Sequence, residues 1–439
     1  MRFSIAFSFV VACVSALSAQ ADLLQSGPML GYSEMREALI WVQTKAEAEV
    51  QVVYWDTLQP QTRMMTAKVS TYRQNAYTAK LVADQALPGK VYAYQLLING
   101  RETPRPYPLR FRTQTHWQYR TDPPPFTVAF GSCAYVNEPL YDRPGKPYGA
   151  EYNVFESIYN RHPDLMLWLG DNTYLREGDF HTRTGIMHRY THSRSLPELQ
   201  PLLASTHHYA TWDDHDFGPN DSDRSYIHKD LTLEAFQLFW GNPTYGVNGQ
   251  PGVATWFQYQ DMEFFLLDDR YYRTPNDRKT GDCTILGENQ REWLIDALAA
   301  SNSPFKLVAI GGQVLNTAAV HETYANACPE EREWLLRRIE EENIKGVIFL
   351  TGDRHHSELS RYVNAAGNEV YDITVSPLTA GPAFSVTDIN TFRVDNTLVT
   401  KRNFGLLSFS GPRTARQLLI QVFDTNGEEL WQHTLKAPR

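Results

Sequence analysis

The chain has 439 residues, too long for one ordinary domain, and 42% hydrophobic with 13% aromatic residues, which excludes a disordered chain. Its 41 Lys+Arg against 50 Asp+Glu give a net charge of −9, so no general electrostatic pull favours nucleic acid as a bulk partner.

Residues 1–21 read as a secretory signal. Met1-Arg2 is a basic start, the apolar run from Phe3 to Leu17 is short for a membrane span, and Ala19-Gln-Ala21 is a small-x-small cleavage pattern. No twin-arginine pair precedes the run, so Sec export to the periplasm or the extracellular space is expected. Val10-Val-Ala-Cys13 also resembles a lipoprotein cleavage site, but the apolar run continues past Cys13. Removing the signal takes away the charge of Arg2 alone, from −9 to −10. No later segment reads as a membrane span.

The next stretch, residues 25–114, reads as an all-β domain of immunoglobulin or fibronectin type. Its strand candidates are Ala38–Thr44, Val50–Trp55, Ala76–Val82 and Val91–Ile98, separated by turn signals such as Pro88-Gly89 and Asn99-Gly100. Residues 115–125 end in Pro123-Pro-Pro125 and read as a linker.

From residue 126 to 439 the pattern becomes alternating strands and helices, the mark of an α/β layered domain. The predicted strands are Phe126–Phe130, Leu165–Leu169, His208–Trp212, Phe264–Leu267, Lys306–Ile310, Val347–Leu350 and Val370–Val375. Helices are predicted over Tyr152–Arg161, Gln290–Ser301 and Glu330–Glu342, and a terminal hairpin around Thr425-Asn-Gly427. The His- and Arg-rich stretches Gly178–Ser195 and Thr206–His208 fit no motif and read as loop surface.

After the signal, three cysteines remain. Cys283 and Cys328 sit in polar, loop-like surroundings and are the expected disulfide, which leaves Cys133 as a free thiol that a metal would explain. In α/β sheets, ligands gather at the carboxyl ends of strands. Four apolar runs end in this way. They lead into Gly131-Ser-Cys133, Gly170-Asp-Asn-Thr-Tyr174, Asp213-Asp-His-Asp216 with Asn220, and Gly352-Asp-Arg-His-His356. Three carboxylates around one imidazole repel one another unless a cation or hydrogen bonds offset them. Delivered to one edge, these groups make a metal-binding set. Asp268-Asp-Arg270 has two readings, a buried ion pair or a substrate contact.

These motifs resemble the alkaline phosphatase D (PhoD-like) family of the metallophosphoesterase superfamily. The resemblance rests on Phe130-Gly-Ser-Cys133, Gly170-Asp-Asn-Thr-Tyr174, Trp212-Asp-Asp-His-Asp216 with Asn220-Asp221, Leu267-Asp-Asp-Arg270 and Thr351-Gly-Asp-Arg-His-His356, in the family's order. It implies a four-layer α/β/β/α sandwich behind the leading β domain. It also implies ferric iron held by Cys133 and Tyr174, with Asp171 bridging to a second metal, usually calcium. Asp353 and His355 would complete the shell, and Asn220 would bind the second metal or the phosphate. Asp214 would also reach a metal.

The implied activity is hydrolysis of small-molecule, lipid or nucleotide phosphate esters, as monoesters or diesters, by a metal-activated water. His215 and Asp214 would be catalytic, with Arg354 and Arg270 as phosphate contacts. Two other readings stand beside this one: a metal-dependent hydrolase of another ester, and a non-catalytic exported binding protein on the same scaffold.

Overall fold

The structure, a computed structural model, describes residues 23–320 and 323–438. The expected signal and its Cys13 lie outside them. No helix among the described residues is long and apolar enough to cross a membrane.

Two large sheets organise the second part of the chain. The first has nine strands, with Phe126–Gly131, Leu165–Leu169 and His207–Thr211 parallel at its centre. On one side it continues into Asn403–Ser410, Gln417–Asp424 and the terminal Glu429–Lys436. The second sheet has six strands, of which Met262–Leu266, Lys306–Ala309, Val347–Thr351 and Glu369–Thr374 run parallel.

Their continuous apolar runs are explained by burial on both faces. Phe126, Val128, Phe130, Leu165, Leu167 and Leu169 enter a core shared with Phe264, Leu266, Ile348 and Leu350 of the six-stranded sheet. The alternate residues Ala129, Met166 and Trp168 face the opposite way, among Phe155, Ile158, Leu202 and Phe236 of the helices on that side. The second sheet does the same: Phe265, Val308 and Phe349 meet Leu294, Leu298, Leu335 and Ile339 of helices Glu288–Ala300 and Pro329–Glu341.

The leading region has its own apolar core. Ile40, Val42 and Leu81 pack against Val50, Val52, Tyr54, Tyr92 and Leu96. One of its two sheets is not separate, however. The strands Leu24–Ser33, Ala38–Thr44 and Thr78–Ala83 extend the nine-stranded sheet, with Leu30 opposite His207 in parallel register.

The stretch read as loop surface is structured and partly interior, although His181 and His188 are exposed. Arg183–Arg194 is a helix, capped by the Thr182 hydroxyl accepting from Gly185 N at 3.1 Å. Arg189 is fully buried because Asp179 and Glu138 lie 2.7 Å from its guanidinium. Arg194 stacks on Trp240 at 3.9 Å, and His207 and His208 are buried on a central strand. Charge alone marked these residues as surface; specific partners bring them inside.

Candidate metal centre

The chain leaves its strands sharply at the sites of interest. Cys133, Asp171, Asp353 and His355 all have positive φ, between 52° and 64°, just after the strands ending at Gly131, Leu169 and Thr351. Such backbone costs on the order of 1–3 kcal/mol per residue and gathers where function demands it. Asp and His tolerate it better than Cys, so Cys133 is the most telling of the four. Gly170 and Gly311 make room for the carboxylates: a Cβ on Gly170 would lie 2.6 Å from Asp213 Cβ, and one on Gly311 2.4 Å from Asp213 Cγ.

The atoms that could ligate a metal fall into three overlapping groups, each with all atoms within 4.8 Å of one another. These are Cys133, Asp171 and His355; Asp171, Asp214 and His215; and Asp213, Asp214 and Asp353. Asp171 joins the first group to the second, and Asp214 joins the second to the third. Cys133 Sγ lies 3.6 Å from Asp171 Oδ2 and accepts from Ser376 Oγ at 3.1 Å. Tyr174 closes the first group, its hydroxyl 3.4 Å from His355 Nε2.

Charge crowding here is severe. Burial, then Asp214, Asp213 and Asp353, push Asp171 well above the usual carboxylate range. Burial raises Asp213 despite Arg270, and burial raises Asp216 to about 8. Asp214 alone is held low: His215 and Arg270 outweigh its burial. Burial lowers His215, although Asp214 opposes this, and burial lowers His355 to about 4. Burial, Asp171 and Asp353 raise the Cys133 thiol.

Several buried polar atoms have no hydrogen-bond partner among the described residues: Asp213 Oδ2, Asp214 Oδ1, His215 Nδ1 and Asp216 Oδ1. Buried polar atoms are ordinarily satisfied. Orphaned oxygens beside a thiol, an imidazole and a phenol therefore fit bound cations.

Asn220 is exposed and opens onto a cavity of about 290 Å³ that also borders Tyr174 and His215. Its amide donates to Asp221 Oδ2 at 2.7 Å.

Arg270 and Arg354, the two arginines expected to contact phosphate, both sit in ion pairs. Arg270 is buried under the carboxylates, with its Nε on Asp213, an arrangement that matches the ion-pair reading of this motif. Arg354 pairs with Asp388 at 2.5 Å, and neither arginine lines the cavity. Cys283 and Cys328 are disulfide-bonded and Cys133 is free.

Asp213, absent from the ligands expected from the sequence, joins a group that could hold a metal. Its signal was the run of carboxylates itself, in which one acid pairs with Arg270 through Oδ1 and keeps Oδ2 without a hydrogen bond.

The chain belongs to the PhoD-like phosphatase family, whose model matches residues 128–406. Residues 21–116 match a domain of unknown function (DUF7800). Alkaline phosphatase D of Bacillus subtilis (strain 168) is 23% identical over 332 residues, 64% of this chain and 54% of that protein. The chain thus spans about half the length of that curated relative.

Among solved structures, one described as PhoD superposes with a TM-score of 0.73 at 16% identity, covering 94% of this chain and 92% of the other. A purple acid phosphatase from yellow lupin (Lupinus luteus) seeds gives 0.68 at 14% identity, covering 93% and 74%. At these identities the likeness is one of fold.

Proposed function

We propose that this chain is an exported, metal-dependent phosphoesterase. The observation that carries the reading is the trio of ligand groups joined through Asp171 and Asp214. Cys133, Tyr174 and His355 would hold iron, since thiolate, phenolate and imidazole suit a transition metal. Asp213, Asp214 and Asp353, with Asn220 nearby, would hold calcium through oxygen donors, and Asp171 would serve both. When bound, such metals activate water and neutralise phosphoryl charge.

The chain's own residues do the rest. The cavity beside Asn220 receives the ester, and Asn220 orients its phosphoryl group or holds the second metal. His215 borders that cavity, where Asp214 opposes the burial that lowers its pKa, and its imidazole supplies the proton that the leaving oxygen takes. Arg270 does not touch substrate in this scheme; it balances Asp213 from beneath.

The finer architecture is part of the same proposal. The three apolar cores around the two large sheets read as four layers, α/β/β/α. The functional units are then a β domain over 25–114, a linker over 115–125 and a catalytic domain over 126–439. The Cys283–Cys328 disulfide supports an oxidising, periplasmic or extracellular setting.

The test is elemental analysis of the purified protein together with hydrolysis of p-nitrophenyl phosphate and its bis ester. Bound iron and calcium with turnover of either ester is the expected result. Metal without turnover of phosphate esters would point to another ester, and no metal to a binding scaffold.

A further inference from the structure

The cavity that borders His215 runs on beneath the loop joining Glu138 to Tyr148. Its wall there carries Arg143 and Lys146, both exposed, beside the rings of Tyr141, Tyr148 and Phe180. Neither cation has a hydrogen-bond or ion-pair partner among the described residues. The remaining charges on the cavity wall are Arg176, Asp142 and Glu177. Arg176 and Asp142 neutralise each other at 3.0 Å, and Glu177 alone opposes the two free cations. A chain with a net charge of −9 therefore turns a locally positive wall toward its reaction cavity.

The loop is held in place. Gly149 N donates to Asn137 Oδ1 at 2.9 Å, and Asn137 Nδ2 donates to Gly149 O at 2.5 Å, which closes the loop at its base. Asp142 accepts from Tyr135 OH at 2.8 Å and from Glu138 N at 2.7 Å. Between the two cations lies Pro144-Gly145, and Pro147 follows Lys146. Proline fixes φ, and Gly145 adopts a φ of +120° that only glycine takes readily. The backbone that carries the two cations is thus ordered before anything binds, and only their side chains lose freedom on binding.

Resting on the phosphoesterase reading, we propose that Arg143 and Lys146 form a subsite for a second phosphate, so that the preferred substrates are esters whose leaving group is itself phosphorylated. A guanidinium fork grips phosphate through two parallel hydrogen bonds, and an ammonium adds a point charge. The tyrosine and phenylalanine rings on the same wall pack against the body that links the two phosphates. At about 290 Å³ the cavity sits near the lower limit of small-molecule sites, roughly 300 Å³. That suits a leaving group of one sugar or nucleoside.

Two substrate pairs test this: adenosine 3′,5′-bisphosphate against adenosine 5′-monophosphate, and glucose 1,6-bisphosphate against glucose 6-phosphate. The expected result is a higher kcat/KM for the bisphosphate of at least one pair. The pair with the larger ratio tells whether a base or a bare sugar fills the cavity. Arg143→Ala and Lys146→Ala should each cut that ratio on the order of tenfold, and Arg143→Lys should restore part of it. A ratio unchanged in the double alanine variant overturns the subsite. If no phosphate ester is hydrolysed, the phosphoesterase reading fails instead. The subsite is then judged by calorimetric binding of adenosine 3′,5′-bisphosphate, where equal affinity for the natural and double-variant proteins would reject it.

Discussion

The carbonyl oxygen of Gly381 lies 2.5 Å from His355 Nδ1, and the Tyr148 hydroxyl approaches the same nitrogen at 3.0 Å. A carbonyl only accepts, so Nδ1 carries the proton and Nε2 presents its lone pair toward Tyr174. Fixing a ligand's tautomer through its second nitrogen is how proteins orient metal-binding histidines. In the same group, Cys133 is buried and held by Ser376.

Replacing Cys133 by Ala is therefore expected to remove iron from the purified protein. The Cys283–Cys328 disulfide, on another part of the fold, should persist. Elemental analysis with thiol titration reads both. Full iron in the variant would reduce Cys133 to a packed core residue.

Metal removal should also expose the cost of the acidic cluster. Asp216 rises from 3.8 to about 8 on burial, so its folded form binds the proton more tightly than the unfolded chain does. That stabilisation is full below the unfolded pKa and is lost as pH rises through about 8. Buried His207 and His355, lowered to about 4, work the other way, but only below 6.5, where the unfolded chain begins to take up protons. Between pH 6.5 and 8 the carboxylates decide the sign. Chelator-treated protein should lose urea resistance across that window, and added metal should restore it. A flat or rising midpoint without metal would show that the carboxylates are not crowded.

Much of the centre was legible because apolar runs end in polar clusters. Strands such as Leu165–Leu169 bury both faces and release Asp171 at the edge. What sequence hid was pairing at a distance. The buried place of Arg270 depends on Asp213, 57 residues away, and that of Arg189 on Glu138, 51 residues away. In the strand Leu24–Ser33, Gly27-Pro28 and Gly31 interrupt the apolar pattern by which a strand is recognised. Gly31 is needed there, since a Cβ would lie 2.8 Å from the Gly241 carbonyl.

The disulfide has a separate, structural role. It spans 45 residues and fixes helix Pro329–Glu341 to the loop before helix Glu288–Ala300. In the chain-entropy model, such a loop contributes about 4 kcal/mol by restricting the unfolded state. Replacing both cysteines by alanine should lower the denaturation midpoint while metal content and turnover hold. Loss of metal in that variant would mean that the disulfide supports the centre.

His215 offers the sharpest division between ligand and acid. Its backbone is anchored without its ring: His215 N donates to Asp171 Oδ1 at 3.2 Å, and its carbonyl accepts from Leu175 N at 3.0 Å. The ring rests on Tyr174 with centroids 4.3 Å apart, and Nδ1 has no hydrogen-bond partner among the described residues. Substitution should thus remove the imidazole and leave the turn intact. With His215→Ala, kcat toward p-nitrophenyl phosphate is expected to fall about 10²–10⁴-fold, as for other general acids, while iron and calcium stay bound. The loss should be smaller for an ester with a better leaving group, which needs less help from a proton. If metal departs with the ring, His215 acts as a ligand in the group it shares with Asp171 and Asp214, and another residue must supply the proton.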